Sequence, residues 1–404
     1  MNDKFTVTTR QSWFSRLGAS VKAIGFGLLL FVVAFPLLWW NEGRAVITAK
    51  ALTEGAASVI SIPADRVDPG YEGRLIHTTG RAVTAETLSD PDFPQVSIQA
   101  LALQRHVEMY QWRERQQTTE TQNVGGSVER ETTYSYTREW SSNLIDSSRF
   151  QRPAGHKNPS VMPYSSLKLT AASVSLGAFT LPPELVRQLP ASETLPVSSQ
   201  PEPTADNGSI TDSPATTPES NTPRAVGGQF YIGHNPNTPQ IGDVRIRYSY
   251  APEQDVSIVA QQRGNSFTGH RSSDGRRTLL MLRPGIHNAD DMFAAAQSAN
   301  QTLTWLVRLG GFLLMVAGLR MLLGPLGVIG DVVPFIGRLI RLGTGMIAFA
   351  ISAASALIVI ALAWIFYRPV LGASLLAVAA AVLVFVVIAG RKRAATAPEP
   401  ASAA

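Results

Sequence analysis

Leu342–Tyr367 reads LGTGMIAFAISAASALIVIALAWIFY and contains no charged residue. Arg368 and Pro369 interrupt the run. Val370–Gly390 is again uncharged, and the Arg391-Lys392-Arg393 cluster ends it. Each run exceeds the roughly 20 apolar residues that cross a hydrocarbon layer of about 30 Å. Two such helices joined only at Tyr367-Arg368-Pro369 form a tight hairpin through a bilayer. The chain therefore reads as an integral membrane protein, which excludes a simple soluble enzyme.

Working outward, Ala23–Trp40 is a third apolar run, with Pro36 inside and Trp39-Trp40 at its end, where paired indoles suit the aromatic belt of a membrane interface. A cleaved signal peptide is the competing reading, with Ala49-Lys50-Ala51 as its cleavage motif. The polar segment before the run favours a retained span. Leu303–Leu323 is mostly apolar but carries Arg308 and Arg320, whose long side chains can snorkel to opposite interfaces, with Trp305 marking the outer one. Gly324–Thr344 holds Pro325, Pro334 and several glycines, which argue for a re-entrant or interface-lying segment rather than another span. Within it, Asp331 either lines a polar pathway or pairs with Arg338 or Arg341. Arg308, Arg320 and Asp331 are thus the candidate intramembrane polar residues.

Basic residues then orient the chain. Lys4, Arg10, Arg16 and Lys22 precede the first span, Arg338 and Arg341 lie between the second and third, and Arg391–Arg393 follow the fourth. Four spans, at 23–40, 303–323, 345–367 and 369–390, put all three groups on one side, the cytoplasm by the positive-inside rule. Segments 1–22 and 391–404 are then cytoplasmic, segment 324–344 is the re-entrant or interfacial piece, and residues 41–302 lie outside or in a lumen. The net charge of +5 is topological on this reading and does not indicate nucleic-acid binding. With no cysteine, the chain has no disulfides, thiolate metal ligands or cysteine nucleophiles.

The extramembrane domain carries strand signals. Gly73–Thr84, His106–Trp112, Glu131–Trp140, Val244–Tyr250, Val256–Ala260 and Thr278–Leu282 are rich in β-branched and aromatic residues, several in strict alternation. This is the pattern of half-buried antiparallel strands. Gly125-Gly126 fits a hairpin turn. Residues 189–228, dense in Pro, Ser and Thr, predict a disordered loop that divides the domain into a first part, 41–188, and a second part, 229–302. Asn288–Gln301 predicts a helix with Asp290 or Asp291 in its first turn, running into the second span. The fold class expected is an α+β membrane protein, with one N-terminal and three C-terminal transmembrane helices and a large, mainly antiparallel β domain between the first and second.

Signals of chemistry are sparse. The sequence has no nucleophile elbow, phosphate loop or zinc-protease helix, and none of its six histidines pair at i, i+4. His106-x-Glu108 resembles part of a deaminase signature, but the cysteines that signature needs are absent. A structural cluster of His106, Glu108, Trp112 and Trp140 is the better reading, with Arg105 and Arg113 supplying an ion-pair ladder around Glu108. The turn-like His156-Lys157-Asn158-Pro159 offers His156, Lys157 and Asn158 as contacts to a partner or lipid headgroup, or is a loop held by its own backbone bonds. No cofactor, metal or catalytic residue is expected. Asn207-Gly208-Ser209 and Asn300-Gln301-Thr302 match the glycosylation tripeptide, a pattern common by chance.

Several stretches carry a family resemblance. They include Asn41-Glu42-Gly43-Arg44-Ala45, Glu72-Gly73-Arg74-Leu75-Ile76-His77, Leu88-Ser89-Asp90-Pro91 and Ile241-Gly242-Asp243. The most specific are Arg105-His106-Val107-Glu108-Met109-Tyr110-Gln111-Trp112 and Gly155-His156-Lys157-Asn158-Pro159-Ser160. On these the chain resembles the LUMA family (transmembrane protein 43). The resemblance implies four spans, one large lumenal or periplasmic domain, self-association and no catalytic residues. It also implies a scaffold role: organisation of the nuclear envelope and ER membrane in animals, alongside lamins and emerin, and of lipid domains in prokaryotes. The Pro/Ser/Thr insertion and the Ala-rich last span and tail point to a bacterial member, in an inner membrane with a periplasmic domain; a eukaryotic member would sit in the ER or inner nuclear membrane.

The function expected is a non-enzymatic, self-associating membrane scaffold with membrane lipids and an unidentified protein as partners. Ser352-x3-Ala356 and Ala377-x3-Ala381 offer small-residue faces for helix packing. A channel using Asp331 and Arg320, and an enzyme on lipids or envelope polymers using His106, Glu108 or His156, are the alternatives.

Overall fold

A computed structural model describes residues 3–198 and 222–370. The expected fourth span at 369–390 lies outside the described residues beyond Val370, as do the tail, Ala377, Ala381 and Asn207. The helices are α1 (Trp13–Ser58), α2 (Pro183–Val186), α3 (Ala289–Leu322), α4 (Gly324–Gly330) and α5 (Pro334–Tyr367). The first strands are β1 (Asp3–Gln11), β2 (Ile60–Ser61), β3 (Leu75–Val83), β4 (Thr87–Ser89), β5 (Ser97–Gln99), β6 (Ala102–Gln122) and β7 (Val128–Ser141). Next come β8 (Leu167–Thr170), β9 (Val174–Leu176), β10 (Phe179–Leu181), β11 (Glu193–Leu195), β12 (Arg224–Val226) and β13 (Gln229–Ile232). The last are β14 (Val244–Ala251), β15 (Gln254–Arg263), β16 (Ser266–Thr268), β17 (His270–Arg271), β18 (Thr278–Leu279) and β19 (Met281–Pro284).

The chain divides into two compact units. One takes the residues up to Thr9, Ala51–Thr121 and Glu129–Ala295; the other takes Arg10–Lys50, Gln122–Val128 and the residues from Ala296 on.

The first unit is built on two sheets. The larger has the order β1-β7-β6-β14-β13-β12, with β8 on β6 and β11 on β14. Alternation sets its faces. In the antiparallel pair β6–β14, Val107 opposes Ile246 and Met109 opposes Val244, and all four side chains are buried. The intervening Glu108 opposes Arg245 on the other face. In the second sheet, β3, β9, β10, β16 and β15 pair in sequence and β15 returns to β3, closing a small barrel. Closure removes free strand edges, and Ile76, Leu176, Phe179 and Ile258 are buried in the same core as the β6–β14 face.

Residues 189–228 are not wholly irregular. β11 pairs with β14 and β12 with β13, and Leu195, Val197 and Ala225 pack against the core. Composition hid these strands because a few apolar side chains suffice when a neighbouring strand supplies the ladder.

In the second unit, three helices are long and apolar enough to cross a membrane: Trp13–Ser58, Ala289–Leu322 and Phe335–Tyr367. The side chain of Ser12 caps α1 by accepting from the Ser15 amide at 3.3 Å. Asn288 does the same for α3, accepting from the Asp291 amide at 2.7 Å, and the helix expected at 288–301 runs without a break into the second span. Segment 324–344 resolves into α4 and the first turns of α5, so the third spanning helix begins at Pro334 rather than at 345. Proline lacks the amide hydrogen that a first helical position cannot use, which suits it to that start.

Small residues let these helices touch backbone to backbone. A Cβ on Gly27 of α1 would come within 2.7 Å of the Gly318 carbonyl oxygen of α3, and one on Gly318 within 2.6 Å of the Gly27 oxygen. Ala34, Leu38, Met315, Ala356 and Val359 form the apolar core of the bundle. Ser352 and Ala356 are both buried, so this small-residue face packs within the chain.

The β6–β7 hairpin turns at Gly125 and Gly126, with φ of 88° and 77°, values that require glycine in so tight a turn. Its tip, Gln122–Val128, belongs to the helical unit. The Gly125 amide donates to the Val332 carbonyl at 3.1 Å, and Arg16 donates to the Gly126 carbonyl at 2.7 Å. Arg16 and Glu42 stand at opposite ends of the apolar part of α1, about 39 Å apart at 1.5 Å per residue. The tip is therefore held at the Arg16 end, and not at the Glu42 end as expected for a segment between residues 41 and 302.

The cysteine-free sequence makes this sidedness measurable. Val124 is 88% exposed. A Val124→Cys chain is expected to react with a membrane-impermeant maleimide from the same face as Ser15→Cys, and from the face opposite Gln301→Cys. Labelling together with Gln301→Cys would show that the tip leaves the helices in the native membrane.

Candidate functional site

Helical spacing builds a polar centre among the apolar helices. On α3, Asn300, Thr304 and Arg308 recur every fourth residue and form one stripe. On α1, Asn41, Arg44 and Ala45 share a face directly after the apolar run. The two stripes are joined by hydrogen bonds. Asn41 donates to the Thr304 carbonyl at 3.1 Å, Arg44 to the Asn300 side chain at 3.0 Å, and Asn300 to the Ala45 carbonyl at 3.0 Å.

At the middle lies Glu42, 1% exposed. Arg308 grips its carboxylate with two N–H groups, at 2.7 and 2.8 Å, and the Trp364 indole of α5 donates to it at 2.8 Å. A planar fork on a carboxylate is the strongest form of this pairing. The guanidinium lies 4.7 Å from the ring centre of Trp305 and 5.7 Å from that of Trp364. Next to Glu42, a Cβ on Gly43 would fall 2.6 Å from the Tyr367 ring. A cavity of about 200 Å³ opens beside the centre, lined by Glu42, Asn300, Trp305, Arg308, Trp364 and Arg368 among others. With three N–H donors on it, the carboxylate is occupied as an acceptor. The arrangement is one that holds α1, α3 and α5 together.

Arg308 is thus the one predicted intramembrane residue that enters this centre. Its neighbour Trp305 was legible, but Glu42, Asn41, Asn300 and Trp364 were not singled out as its partners. An acidic residue directly after an apolar run was the available signal for Glu42. Asn300, read as a glycosylation tripeptide, is instead buried and engaged between helices.

Asp331 is fully buried and held by Arg16 at 2.5 Å and by Arg341. Gln122 of the hairpin tip donates to its backbone carbonyl at 3.3 Å and accepts from Arg341 at 2.9 Å. The pairing with Arg341 was one of the two expected; the partner from α1 was not. Arg320 is exposed at a separate groove between α3 and α5 whose lining does not include Asp331.

The loop cluster divides. His156 is buried, its ring stacked 3.8 Å from Tyr136 and edge-on to Trp112 at 4.7 Å. Its two nitrogens meet the Arg152 carbonyl at 3.0 Å and Asp3 at 3.2 Å. Burial and the hydrogen bond to Glu114 push the Tyr136 phenol up to about 12, so it stays neutral beside that ring. Asn158 is buried too and closes the loop, accepting from the Trp112 amide at 2.7 Å and donating to the Trp112 and Ile145 carbonyls. Lys157 points out, at the edge of a cavity of about 400 Å³.

Around Glu108 the expected ladder is replaced by another. Arg105 and Arg113 differ from residue 108 by odd numbers and so lie on the opposite face of the strand. Arg105 pairs with Asp90 and Asp92, and Arg113 with Glu139. Glu108 takes its partners from β14 instead: Arg245 and Arg247, each at 2.7 Å. Arg245 also lies 4.5 Å over the Trp140 ring, which joins Glu108 to Trp140 through one guanidinium. His106 bonds to Ser249 at 3.0 Å, and Trp112 belongs with His156. Among the described residues no group of three His, Asp or Glu stands together as a metal site.

The most deeply buried ionic centre of the β unit was not anticipated. Asp90, 2% exposed, accepts from Arg105 at 2.6 Å, from the Tyr248 hydroxyl at 2.8 Å, and from the amides of Asp92 and Phe93. Burial, and then the Asp90 carboxylate, raise the Tyr248 phenol above its ordinary range.

Comparison with known proteins bears directly on these features. The family described as Transmembrane protein 43 matches residues 109–369. Transmembrane protein 43 of Mus musculus is 34% identical over 91% of this chain and 90% of its own length, and that of Homo sapiens is 34% identical over the same shares. The Drosophila melanogaster homolog is 32% identical over 87% of this chain and 90% of its own length. No solved structure matches the chain. With the family model matching residues 109–369 and relatives matched over 91% of the chain, the chain belongs to the transmembrane protein 43 family.

Proposed function

We propose that the chain is a non-enzymatic membrane scaffold, which self-associates and orders the lipid and protein around it. The observation that carries this reading is the Glu42 centre. Its carboxylate, its guanidinium and the neighbouring amides are engaged with one another, and they join three helices rather than presenting a free acid or base. The same economy holds at His156 and Glu108, the residues that an enzymatic reading would use. The apolar side chains that α1, α3 and α5 turn outward, among them Phe26, Leu309 and Leu357, suit lipid or a second copy. On this reading the basic Arg16–Arg341 end faces the cytoplasm. The membrane on this reading is a bacterial inner membrane, or the ER or inner nuclear membrane of a eukaryote, and the N-terminal strand β1, whose Asp3 meets His156, lies with the β sheet rather than across the membrane from it.

Crosslinking in native membranes, followed by native mass measurement in lipid nanodiscs, tests the proposal. A defined oligomer at native expression is the expected result. Monomer alone in both measurements would overturn it.

A further inference from the structure

We infer that the groove between α3 and the first half of α5 binds the phosphate and one acyl chain of an anionic phospholipid. The groove has a volume of about 730 Å³. Arg320, Arg338 and Arg341 stand on its wall, and Leu342, Met346 and Phe349 continue it. On α5 these residues recur at three- and four-residue intervals, so charge and apolar surface form a single stripe, with the charge at one end. From Leu342 to Ala350 the apolar part extends about 12 Å along the helix. That is close to the roughly 15 Å depth of one leaflet, half of a hydrocarbon layer of about 30 Å. A headgroup at the arginines would therefore lay its acyl chain along the apolar side chains.

Charge selects the ligand. Arg341 is engaged with Asp331 and Gln122. Among the described residues neither Arg320 nor Arg338 takes part in an ion pair, and both are exposed. A phosphate diester accepts the fork of a guanidinium in two parallel hydrogen bonds. Basic pockets between spanning helices are suited to anionic headgroups. A zwitterionic lipid carries a quaternary or primary amine that the same arginines repel, so phosphatidylglycerol is favoured over phosphatidylcholine. The inference does not rest on self-association, because one copy supplies the whole groove.

The test uses the full chain in nanodiscs of mixed phosphatidylglycerol and phosphatidylcholine, with bound lipid counted by native mass spectrometry. Wild type is expected to retain phosphatidylglycerol preferentially. The Arg320→Gln/Arg338→Gln chain, which leaves the Asp331 pairing intact, should lose that preference by a factor on the order of 10 to 30, from two charges near the headgroup plane. Its thermal midpoint should match wild type, since both side chains are exposed. Equal retention in the two chains would overturn the inference. So would the absence of anionic lipid from wild type.

Discussion

A Glu42→Ala chain is expected to accumulate at a small fraction of the wild-type level and to lose about 3–5 kcal/mol of stability, the usual cost of removing one partner from a buried ion pair. The loss is one-sided. Arg308 keeps its charge among Trp305, Trp364 and apolar helices, with its carboxylate gone. Trp364 loses its acceptor as well. Glu42→Gln should cost less, because a carbonyl oxygen remains for one of the donors. Replacing both members, Glu42→Gln with Arg308→Gln, should be milder than Glu42→Ala alone, since no unpaired charge is left. Steady-state level and thermal unfolding of the detergent-purified chains check the order. If Glu42→Ala matched wild type in both, the centre would not be what joins α1, α3 and α5.

The second large effect is expected in the β unit. Asp90→Ala removes the acceptor for Arg105, Tyr248 and two backbone amides at once. Arg105 is 3% exposed and would retain only Asp92, which is itself half in solvent, and the Ser165 carbonyl. A loss of about 3–5 kcal/mol is expected, by the same uncompensated-charge argument. Tyr248→Phe deletes a single hydrogen bond and leaves the rest, and should cost about 1–2 kcal/mol. Thermal unfolding followed by tryptophan fluorescence separates the two. Equal losses in both chains would mean that Tyr248, and not the charge of Asp90, organises the site.

The parts of the fold that were legible share a physical basis. Apolar runs at Leu342–Tyr367 and Ala23–Trp40 declare themselves, because lipid solvates no backbone and the helix must carry its own hydrogen bonds. Alternation at Val244–Tyr250 declares a strand, because one face is dry and the other wet. The missed features lack such a one-dimensional trace. Beyond Trp112, β6 continues through Arg113–Gln122, where both faces are polar and no period of two exists. Glu42 and Arg308 are separated by 266 residues, and nothing near either names the other. His156, Lys157 and Asn158 are consecutive, so spacing could not reveal that two turn inward and one outward.

The separation of Glu42 from Arg308 also has a consequence for biogenesis. At roughly 5–20 residues per second of synthesis, the intervening 266 residues take about 13–53 s to emerge. Throughout that interval α1 has been made and Glu42 lacks the Arg308 that later grips it. The ion pair therefore forms only in copies whose synthesis has passed the whole β domain; a chain that stops within it carries Glu42 without the guanidinium that the complete fold supplies.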